Sequence, residues 1–131
     1  MAIDFSMRVL VVDDMAVMRK MVKKILKDLG FAKVDDSANG KIAFEMIKDA
    51  HATGSPFQFI VSDWNMPEMS GIELLQKIRA DETFKKLPFL MVTAEGEKDN
   101  LIIAIKAGVT NFIIKPFTPD VFREKVEKIF T

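Results

Sequence analysis

The sequence has no cysteine, and this absence excludes several kinds of site. A chain without thiols cannot form a disulfide, a thiolate metal site or a cysteine nucleophile. Its single histidine, His51, also excludes a metal site built from several histidines. There is no tyrosine, and Trp64 is the one tryptophan. Any metal site must therefore be built mainly from oxygen ligands.

The chain also lacks an excess of either charge and any long apolar run. Lysine plus arginine and aspartate plus glutamate both number 19, which argues against bulk attraction to nucleic acid or an anionic membrane. Helix residues Arg19 to Lys27 carry a basic stripe, which we interpret as a solvated face. No apolar run resembles a signal peptide or a membrane span. We expect a cytoplasmic protein with no nucleic-acid partner and no membrane insertion.

Short strand-like runs alternate with amphipathic helical segments along all 131 residues. This alternation predicts one α/β domain over residues 1–131, with a doubly wound five-stranded parallel sheet and helices on both faces. His51–Gln58 contains glycine, serine and proline and is predicted to be a loop. The predicted strands are Arg8–Val12, Lys33–Ser37, Phe59–Ser62, Phe89–Val92 and Asn111–Ile114. The predicted helices are Ala16–Leu29, Gly40–Asp49, a segment around Ile72–Ile78 capped by Ser70, Lys98–Ala107 and Pro119–Phe130 capped by Thr118.

Chemistry-bearing residues follow the predicted strands. Ligands of such sheets bind beyond the carboxyl ends of the strands, where the strand order reverses. With the order 2-1-3-4-5, Asp13, Asp14 and Asp63 would converge, with Thr93 and Lys115 on the far side. Two like charges ~4 Å apart repel by ~4 kcal/mol at an effective dielectric of ~20, so the cluster favours a bound cation. An all-oxygen site indicates Mg²⁺ or another hard cation.

Such a pocket can transfer a phosphoryl group to a carboxylate. A metal on the phosphoryl oxygens reduces the repulsion between two anions, and a lysine or hydroxyl stabilises the remaining charge. Taken singly, each residue has an ordinary structural explanation: Asp13 and Asp14 could cap a helix, Thr93 could be a strand residue and Lys115 a surface charge. Their coincidence at one edge of the sheet favours function.

Four segments make the sequence resemble the response-regulator receiver family, and within it the stand-alone chemotaxis regulators. The resemblance runs from about Met7 to Phe130. The aspartate pair, single aspartate, threonine and Lys-Pro at these spacings are highly specific to receivers, and Asp-Trp-Asn-Met-Pro narrows the match to the chemotaxis regulators. The segments are Leu10–Asp14, Ser62–Pro67, Met91–Glu95 and Lys115–Thr118.

The resemblance implies that Asp63 accepts phosphate from a phosphohistidine of a sensor histidine kinase. Mg²⁺ would be bound by Asp14, Asp63 and the backbone carbonyl of Asn65, with Asp13 acting through water. Lys115 would contact the phosphoryl group. Thr93 would hydrogen-bond it and move, shifting the face formed by helix four, strand five and helix five.

Further expectations concern the lifetime of the phosphorylated state and the output face. Asn65 and Glu95 occupy the positions that tune self-dephosphorylation in this family, and they predict a short-lived state. The apolar run that begins at Leu101 predicts a partner-binding patch beside Phe112. Lys125 and Lys128 are expected to border that patch.

Three departures from the chemotaxis regulators matter, and two of them, at Phe112 and at Glu97 and Lys98, concern the output face. Phe112 replaces a tyrosine, so the ring has no hydroxyl to offer a partner. The His51–Gln58 connection looks several residues longer. After the glutamate in the loop that follows strand four, Glu97 and Lys98 stand where those regulators have two lysines.

The chain ends after helix five, so we expect no output domain and an output through protein contact, with the flagellar motor switch as the expected target and a phosphatase as a further partner. The protein would not be an enzyme, although it would assist its own phosphorylation and dephosphorylation. Two alternatives stay open: a phosphate carrier in a multi-step relay, and a constitutive binding module on a receiver fold. Enzymes fit poorly, because Asp13 and Asp14 would repel a flavin phosphate, and an Asp-x-Asp phosphatase needs aspartate where Asn65 stands.

Overall fold

The structure is a computed structural model that describes residues 3–94 and 98–130. Strands and helices alternate strictly along these ranges. The strands are β1 (Arg8–Val12), β2 (Lys33–Ser37), β3 (Phe57–Asp63), β4 (Phe89–Ala94) and β5 (Asn111–Lys115). The helices are α1 (Ala16–Leu29), α2 (Gly40–Ala52), α3 (Gly71–Ala80), α4 (Lys98–Lys106) and α5 (Pro119–Phe130).

The five strands form one parallel sheet in the order β2-β1-β3-β4-β5, which confirms the predicted architecture. The chain leaves β1 for β2 on one side and returns to β3 on the other, so the order reverses between β1 and β3. Both faces of the sheet are covered, which explains why the central strands are continuous apolar runs. α1 and α5 pack on one face, and α2, α3 and α4 pack on the other.

Some helices and strands are longer than predicted. The predicted loop His51–Gln58 shrinks to residues 53–56, because α2 continues through Ala52 and β3 already begins at Phe57. The last turn of α2 is held by the buried Ala50, and Phe57 is buried and pairs with Arg8 of β1. Gly54, with a φ of 85°, makes the turn between them. Burial therefore extended both elements into a segment whose composition indicates a loop.

The strands also run further than their apolar cores. β4 continues through Thr93 to Ala94, and β5 continues to Lys115, because Thr93 pairs with Ile114 and Ala94 with Lys115. Asp63 likewise ends β3 and pairs with Val92. Asp63, Thr93 and Lys115 were predicted to follow their strands but belong to them, and the sheet itself fixes their backbones.

Several apolar side chains of the helices do not face the sheet. On α1, Val17 and Met21 are exposed, whereas Leu26 is fully buried. Ile42 of α2 is also exposed. The predicted caps are confirmed: Ser70 forms a capping box with Glu73, and the Val121 N–H donates to the Thr118 hydroxyl at 3.2 Å. Apolar character alone does not fix which residues of a short helix face the sheet.

A polar cluster at the end of α3, which we call the Arg79 clasp, consists of Arg79 and its partners Leu87, Gly108 and Thr110 in two connections. Arg79 donates from Nε to the Gly108 carbonyl at 2.8 Å and from Nη1 to the Leu87 carbonyl at 2.7 Å. Nη2 reaches the Thr110 hydroxyl at 3.4 Å, and the same hydroxyl accepts the Phe89 N–H at 2.9 Å. Burial lowers the pKa of Arg79 from its ordinary value. The clasp therefore connects α3 to the entries of β4 and β5.

Candidate functional site

The fold brings together the three predicted carboxylates at the carboxyl end of β1 and β3. Asp13 and Asp14 directly follow β1, and Asp63 ends β3. Each contributes an oxygen to a set whose members lie within 4.8 Å of one another. Asp13 is 3% exposed and Asp63 is 7% exposed, while Asp14 is open to solvent. We call Asp13, Asp14, Asp63, Thr93 and Lys115 the carboxylate pocket.

Asp13 is held from three directions. Its Oδ1 accepts the Met15 N–H at 2.9 Å, its own N–H donates to the Ser37 carbonyl at 3.1 Å, and its carbonyl accepts Arg19 Nη1 at 2.8 Å. Burial raises the pKa of Asp13, the hydrogen bond from Met15 lowers it, and the nearby charge of Asp63 raises it further. The net pKa is raised, so the ionised pocket is unfavourable by itself and becomes more favourable with a cation.

Lys115 contributes the positive charge of the pocket. Its Nζ lies 2.9 Å from Oδ1 of Asp63, across the intervening strand β4. The Lys115–Pro116 peptide bond is cis. A cation that forms an ion pair with a buried carboxylate can also contact an anion bound to that carboxylate.

Thr93 supplies a hydroxyl with unused hydrogen-bonding capacity. It is 1% exposed, and within residues 3–94 and 98–130 its Oγ1 has no hydrogen-bond partner. A buried hydroxyl without a partner costs about 1–3 kcal/mol. Since Thr93 lies one residue beyond the pairing of Asp63 with Val92, this hydroxyl is available on the neighbouring strand of the site.

The turn after Asp63 is tightly closed. The Trp64 N–H donates to the Val92 carbonyl at 3.0 Å, and the Gly71 N–H donates to the Trp64 carbonyl at 2.8 Å. A Cβ at Gly71 would collide with the backbone carbonyl of Asp63, so only glycine fits there. Asn65 is exposed in this turn, and its role as a carbonyl ligand stays a prediction. Glu95 and Glu97 lie outside the described residues, as does the side chain of Lys98.

The residues predicted for the output face lie around α4, β5 and α5. Leu101 and Phe112 are half-buried, and Ile102, Ile103 and Ile105 are exposed on α4. Lys125 Nζ lies 5.2 Å from the centroid of the Phe112 ring, within cation–π range, and Lys128 is exposed. The isoleucines give α4 an exposed apolar surface, and its role as a partner-binding patch beside Phe112 stays a prediction.

Two supporting residues escaped the sequence reasoning. Arg19 was counted in a solvated basic stripe, yet it contacts both the Asp13 carbonyl and Asp36, at 2.8 and 2.9 Å. Gly71 was given no role in the site, although its missing side chain makes room for the Asp63 backbone. The i, i+6 spacing of Asp13 and Arg19 offers no signal, because nothing local distinguishes Arg19 from the other cations of α1.

Comparison with known proteins agrees with this geometry. The sequence model described as the response regulator receiver domain matches residues 9–127. The chain belongs to this family. It is 48% identical over 124 residues to the chemotaxis protein CheY of Pseudomonas aeruginosa, with 95% of this chain and 96% of the relative covered. The chemotaxis protein CheY-3 of Vibrio cholerae is 47% identical over 125 residues, with 95% and 92% covered.

Solved structures give the same assignment. The chemotaxis response regulator CheY4 of Vibrio cholerae superposes with a TM-score of 0.80 at 32% identity, with 95% of this chain and 98% of that chain covered. A response regulator of Chloroflexus aurantiacus superposes with a TM-score of 0.84 at 28% identity, with 95% and 97% covered. The chain is therefore a receiver-domain response regulator with homologues in chemotaxis, and membership implies a histidine kinase as phosphodonor and a protein target.

Receiver domains typically bind Mg²⁺, and the residues of the pocket fit that ion. The donor set consists of carboxylate oxygens, which are the ligands preferred by hard divalent cations. None of the described helices is long and apolar enough to cross a bilayer.

Proposed function

We propose that this chain is a response regulator that accepts a phosphoryl group on Asp63 from a sensor histidine kinase. The observation that supports this most strongly is the carboxylate pocket itself. Three carboxylates lie within 4.8 Å of one another beside Lys115, and the Thr93 hydroxyl has no partner among the described residues. The pathway would be chemotaxis, since the curated relatives are chemotaxis proteins. The target would be the flagellar motor switch.

The proposed phosphorylation is a simple displacement. A carboxylate oxygen of Asp63 forms a bond to phosphorus while the bond from phosphorus to the donor nitrogen breaks, and the donor keeps that electron pair. Asp14, Asp63 and the Asn65 carbonyl would hold Mg²⁺, with Asp13 acting through water, and the ion would neutralise charge on the phosphoryl oxygens. Lys115 transfers its contact from Asp63 to the new phosphoryl group, and the Thr93 hydroxyl donates to it.

The same pocket would release the phosphoryl group as phosphate by the attack of water. We do not class the protein as an enzyme, because its own Asp63 is consumed and regenerated rather than an external substrate. Asn65 and Glu95, at the positions that tune this hydrolysis, would make the phosphorylated state short-lived. A radiolabel chase tests this directly: loss of label within minutes is expected, and persistence for hours would refute it.

Output would pass through the face formed by α4, β5 and α5. Movement of Thr93 toward the phosphoryl group would vacate space beside β4, into which the Phe112 ring can turn, since Phe112 pairs with Met91 on β4. The face combines the exposed isoleucines of α4 with Lys125 and Lys128, which fits a protein partner with apolar and acidic groups. A phosphatase would be a further partner.

Truncation of the patch should separate output from phosphorylation. Leu101→Ala is expected to weaken partner binding about tenfold, because a half-buried apolar contact is removed, and to leave phosphorylation of Asp63 unchanged. Val17→Ala, at a more exposed apolar position on α1, is the matched control. Partner affinity can be measured by titration with the phosphorylated protein. Equal affinity of Leu101→Ala and wild type would count against the patch.

The first experiment uses Trp64, which is adjacent to Asp63 and is the only tryptophan. Its fluorescence should change on titration with Mg²⁺ and change again after acetyl phosphate is added. The second change should be lost in Asp63→Asn. Absence of both effects would instead favour a constitutive binding module on a receiver fold. Transfer of a radiolabelled phosphoryl group from this chain to a second histidine protein would favour a phosphate carrier in a multi-step relay.

A further inference from the structure

A cavity of about 470 Å³ lies at the amino ends of the strands, the edge of the sheet opposite the carboxylate pocket. It is bordered by the end of α2 at His51, the start of β3 at Phe57, the approach to β4 at Leu87 and Pro88, and the end of α5 at Phe130. Its volume falls within the range of small-molecule sites, about 300–1,000 Å³. None of the residues of the phosphorylation chemistry lines it.

Apolar side chains form the floor and walls of this cavity. Met7 and Phe57 are buried at its base, while Phe84, Leu87, Pro88 and Phe130 are only half-buried around it. The half-buried rings keep apolar surface in contact with water. An apolar ligand that displaces this water gains about 25 cal/mol for each Å² of apolar surface buried.

The wall next to β4 is fixed before any ligand arrives. The Leu87 carbonyl accepts Arg79 Nη1 at 2.7 Å, the Leu87 N–H donates to the Phe84 carbonyl at 2.9 Å, and the Pro88 carbonyl accepts the Ile60 N–H at 3.0 Å. The His51 ring packs edge-on against Phe84, with centroids 5.5 Å apart. A preformed wall reduces the ordering entropy that a ligand must overcome on binding.

The polar groups that line the cavity include hydrogen-bond donors and the ammonium group of Lys86. Lys86, His51, Gln58 and Thr83 line it, and no carboxylate does so within the described chain. The neighbouring Lys85 is paired with Glu82 at 2.9 Å, whereas Lys86 has no ion pair in the described ranges. The cavity therefore complements an anionic head rather than a cationic one.

A second cavity of similar volume makes the contrast clear. It is lined by Lys20, Lys23, Lys24 and Lys27 of α1 together with Asp28 and Asp36. Two of its lysines are already paired with those aspartates. Among the described residues, no aromatic side chain lines it. Its apolar surface comes from lysine stems, so it offers charge to an anion but no aromatic wall.

We propose that the cavity between His51, Phe84, Lys86 and Phe130 binds a small amphipathic anion, with its ring or short hydrocarbon body against the aromatic walls and its carboxylate or sulfonate near Lys86. The site is separate from Asp63 and independent of the proposed phosphorylation. The ligand class is a free small molecule, because the cavity volume matches one ring system rather than a folded partner.

Two fluorescent probes that differ by one charge test the proposal on the full chain. Anilinonaphthalene sulfonate carries a sulfonate, and N-phenyl-1-naphthylamine is its neutral counterpart. We expect the sulfonate to bind at one site per chain, with Lys86→Glu weakening it about tenfold and leaving the neutral probe nearly unchanged. Lys85→Glu, which alters the paired neighbouring lysine, should weaken the sulfonate less than about twofold.

A second variant checks the location of the site. Gln58→Trp adds bulk at an exposed position that lines the cavity, without removing any core side chain, and should reduce binding of both probes. Amide shifts of residues 83–87 should move on titration in wild type and in Asp63→Asn alike. Three results would overturn the proposal: no saturable binding, equal binding of the sulfonate by Lys86→Glu and wild type, or shifts confined to other parts of the chain.

Discussion

The carboxylate pocket and the Arg79 clasp are two polar clusters in one small domain, and they are built on opposite principles. The clasp has one guanidinium and three acceptors, and each acceptor receives a hydrogen bond. The pocket has three carboxylates, one lysine and a hydroxyl without a partner in the described chain. The clasp is complete as it stands, whereas the pocket lacks groups that a ligand would supply. A satisfied cluster supports the fold, and an unsatisfied one marks the site.

The largest expected effect comes from breaking the complete cluster. Arg79→Met should lower the free energy of unfolding by roughly 2–3 kcal/mol, because the Leu87 and Gly108 carbonyls lose their donors. Urea denaturation measures this change. Arg123→Met is the control, since Arg123 is exposed and reaches Asp120 only at 3.9 Å, and it should cost less than about 0.5 kcal/mol. A loss below ~1 kcal/mol for Arg79→Met would mean that the clasp contributes little.

The next largest effect is expected from removing Lys115, the positive charge of the carboxylate pocket. In metal-free buffer, Lys115→Met should lower the free energy of unfolding by about 1–2 kcal/mol, because a buried carboxylate loses its partner. In an Asp63→Asn background, the same substitution should change it by less than about 0.5 kcal/mol. Comparing the four proteins isolates the coupling of the two charges. Equal losses in both backgrounds would show that Lys115 acts through packing rather than charge.

Removing the Asp13 carboxylate should raise the free energy of unfolding, whereas removing Lys115 should lower it. The pKa of Asp13 is raised in the folded protein, so protonated Asp13 favours folding. This stabilisation is fully present below the ordinary pKa of about 3.9 and is lost as the pH rises through the folded pKa. In metal-free buffer near neutral pH, Asp13→Asn should therefore be more stable than wild type by about 1 kcal/mol.

The pH series and a metal titration check this prediction. The difference between Asp13→Asn and wild type should shrink as pH falls through the acidic range, and thermal unfolding at each pH measures it. Adding Mg²⁺ should stabilise wild type more than the variant, because the variant has lost one negative ligand. If Asp13→Asn is destabilised at neutral pH, its bond with Met15 outweighs the repulsion.

The smallest effects are expected from replacing a threonine by valine, once in the carboxylate pocket at Thr93 and once in the Arg79 clasp at Thr110. Thr93→Val removes a hydroxyl that has no partner within residues 3–94 and 98–130, and it should leave stability unchanged or raise it by up to about 1 kcal/mol. Thr110→Val removes the acceptor of the Phe89 N–H and should lower stability by about 1 kcal/mol. Denaturation midpoints compare the pair. Thr93→Val should also weaken the fluorescence response to acetyl phosphate, and an unchanged response would remove Thr93 from the proposed chemistry.

The same contrast explains what the sequence could predict. The pocket was predictable because parallel strands bring their carboxyl ends to one edge, so Asp13, Asp63 and Lys115 needed only the strand order to be placed together. The clasp was not predictable, because Arg79 reaches carbonyl groups, and every residue has one. Thr93 was identified, but its unsatisfied hydroxyl depends on distances that no pattern contains.

Packing decided the remaining differences. Val17 and Met21 look like core residues of α1 and are exposed, because only a narrow stripe of this helix contacts the sheet. His51 and Phe57 extend regular structure into a predicted loop because neighbouring residues are buried. Local composition indicates where the chain turns, but the number of residues in a turn is set by the elements that it joins.

The ion pair between Lys115 and Asp63 also determines which valence of ion the pocket prefers. With its carboxylates ionised and Lys115 protonated, the pocket carries a formal charge of minus two. A divalent ion brings this to neutrality, a monovalent ion leaves it negative, and a trivalent ion makes it positive. A phosphoryl group on Asp63 then adds about one further negative charge. By this charge count, a divalent ion matches the pocket better than a monovalent or a trivalent one, whatever its ionic radius.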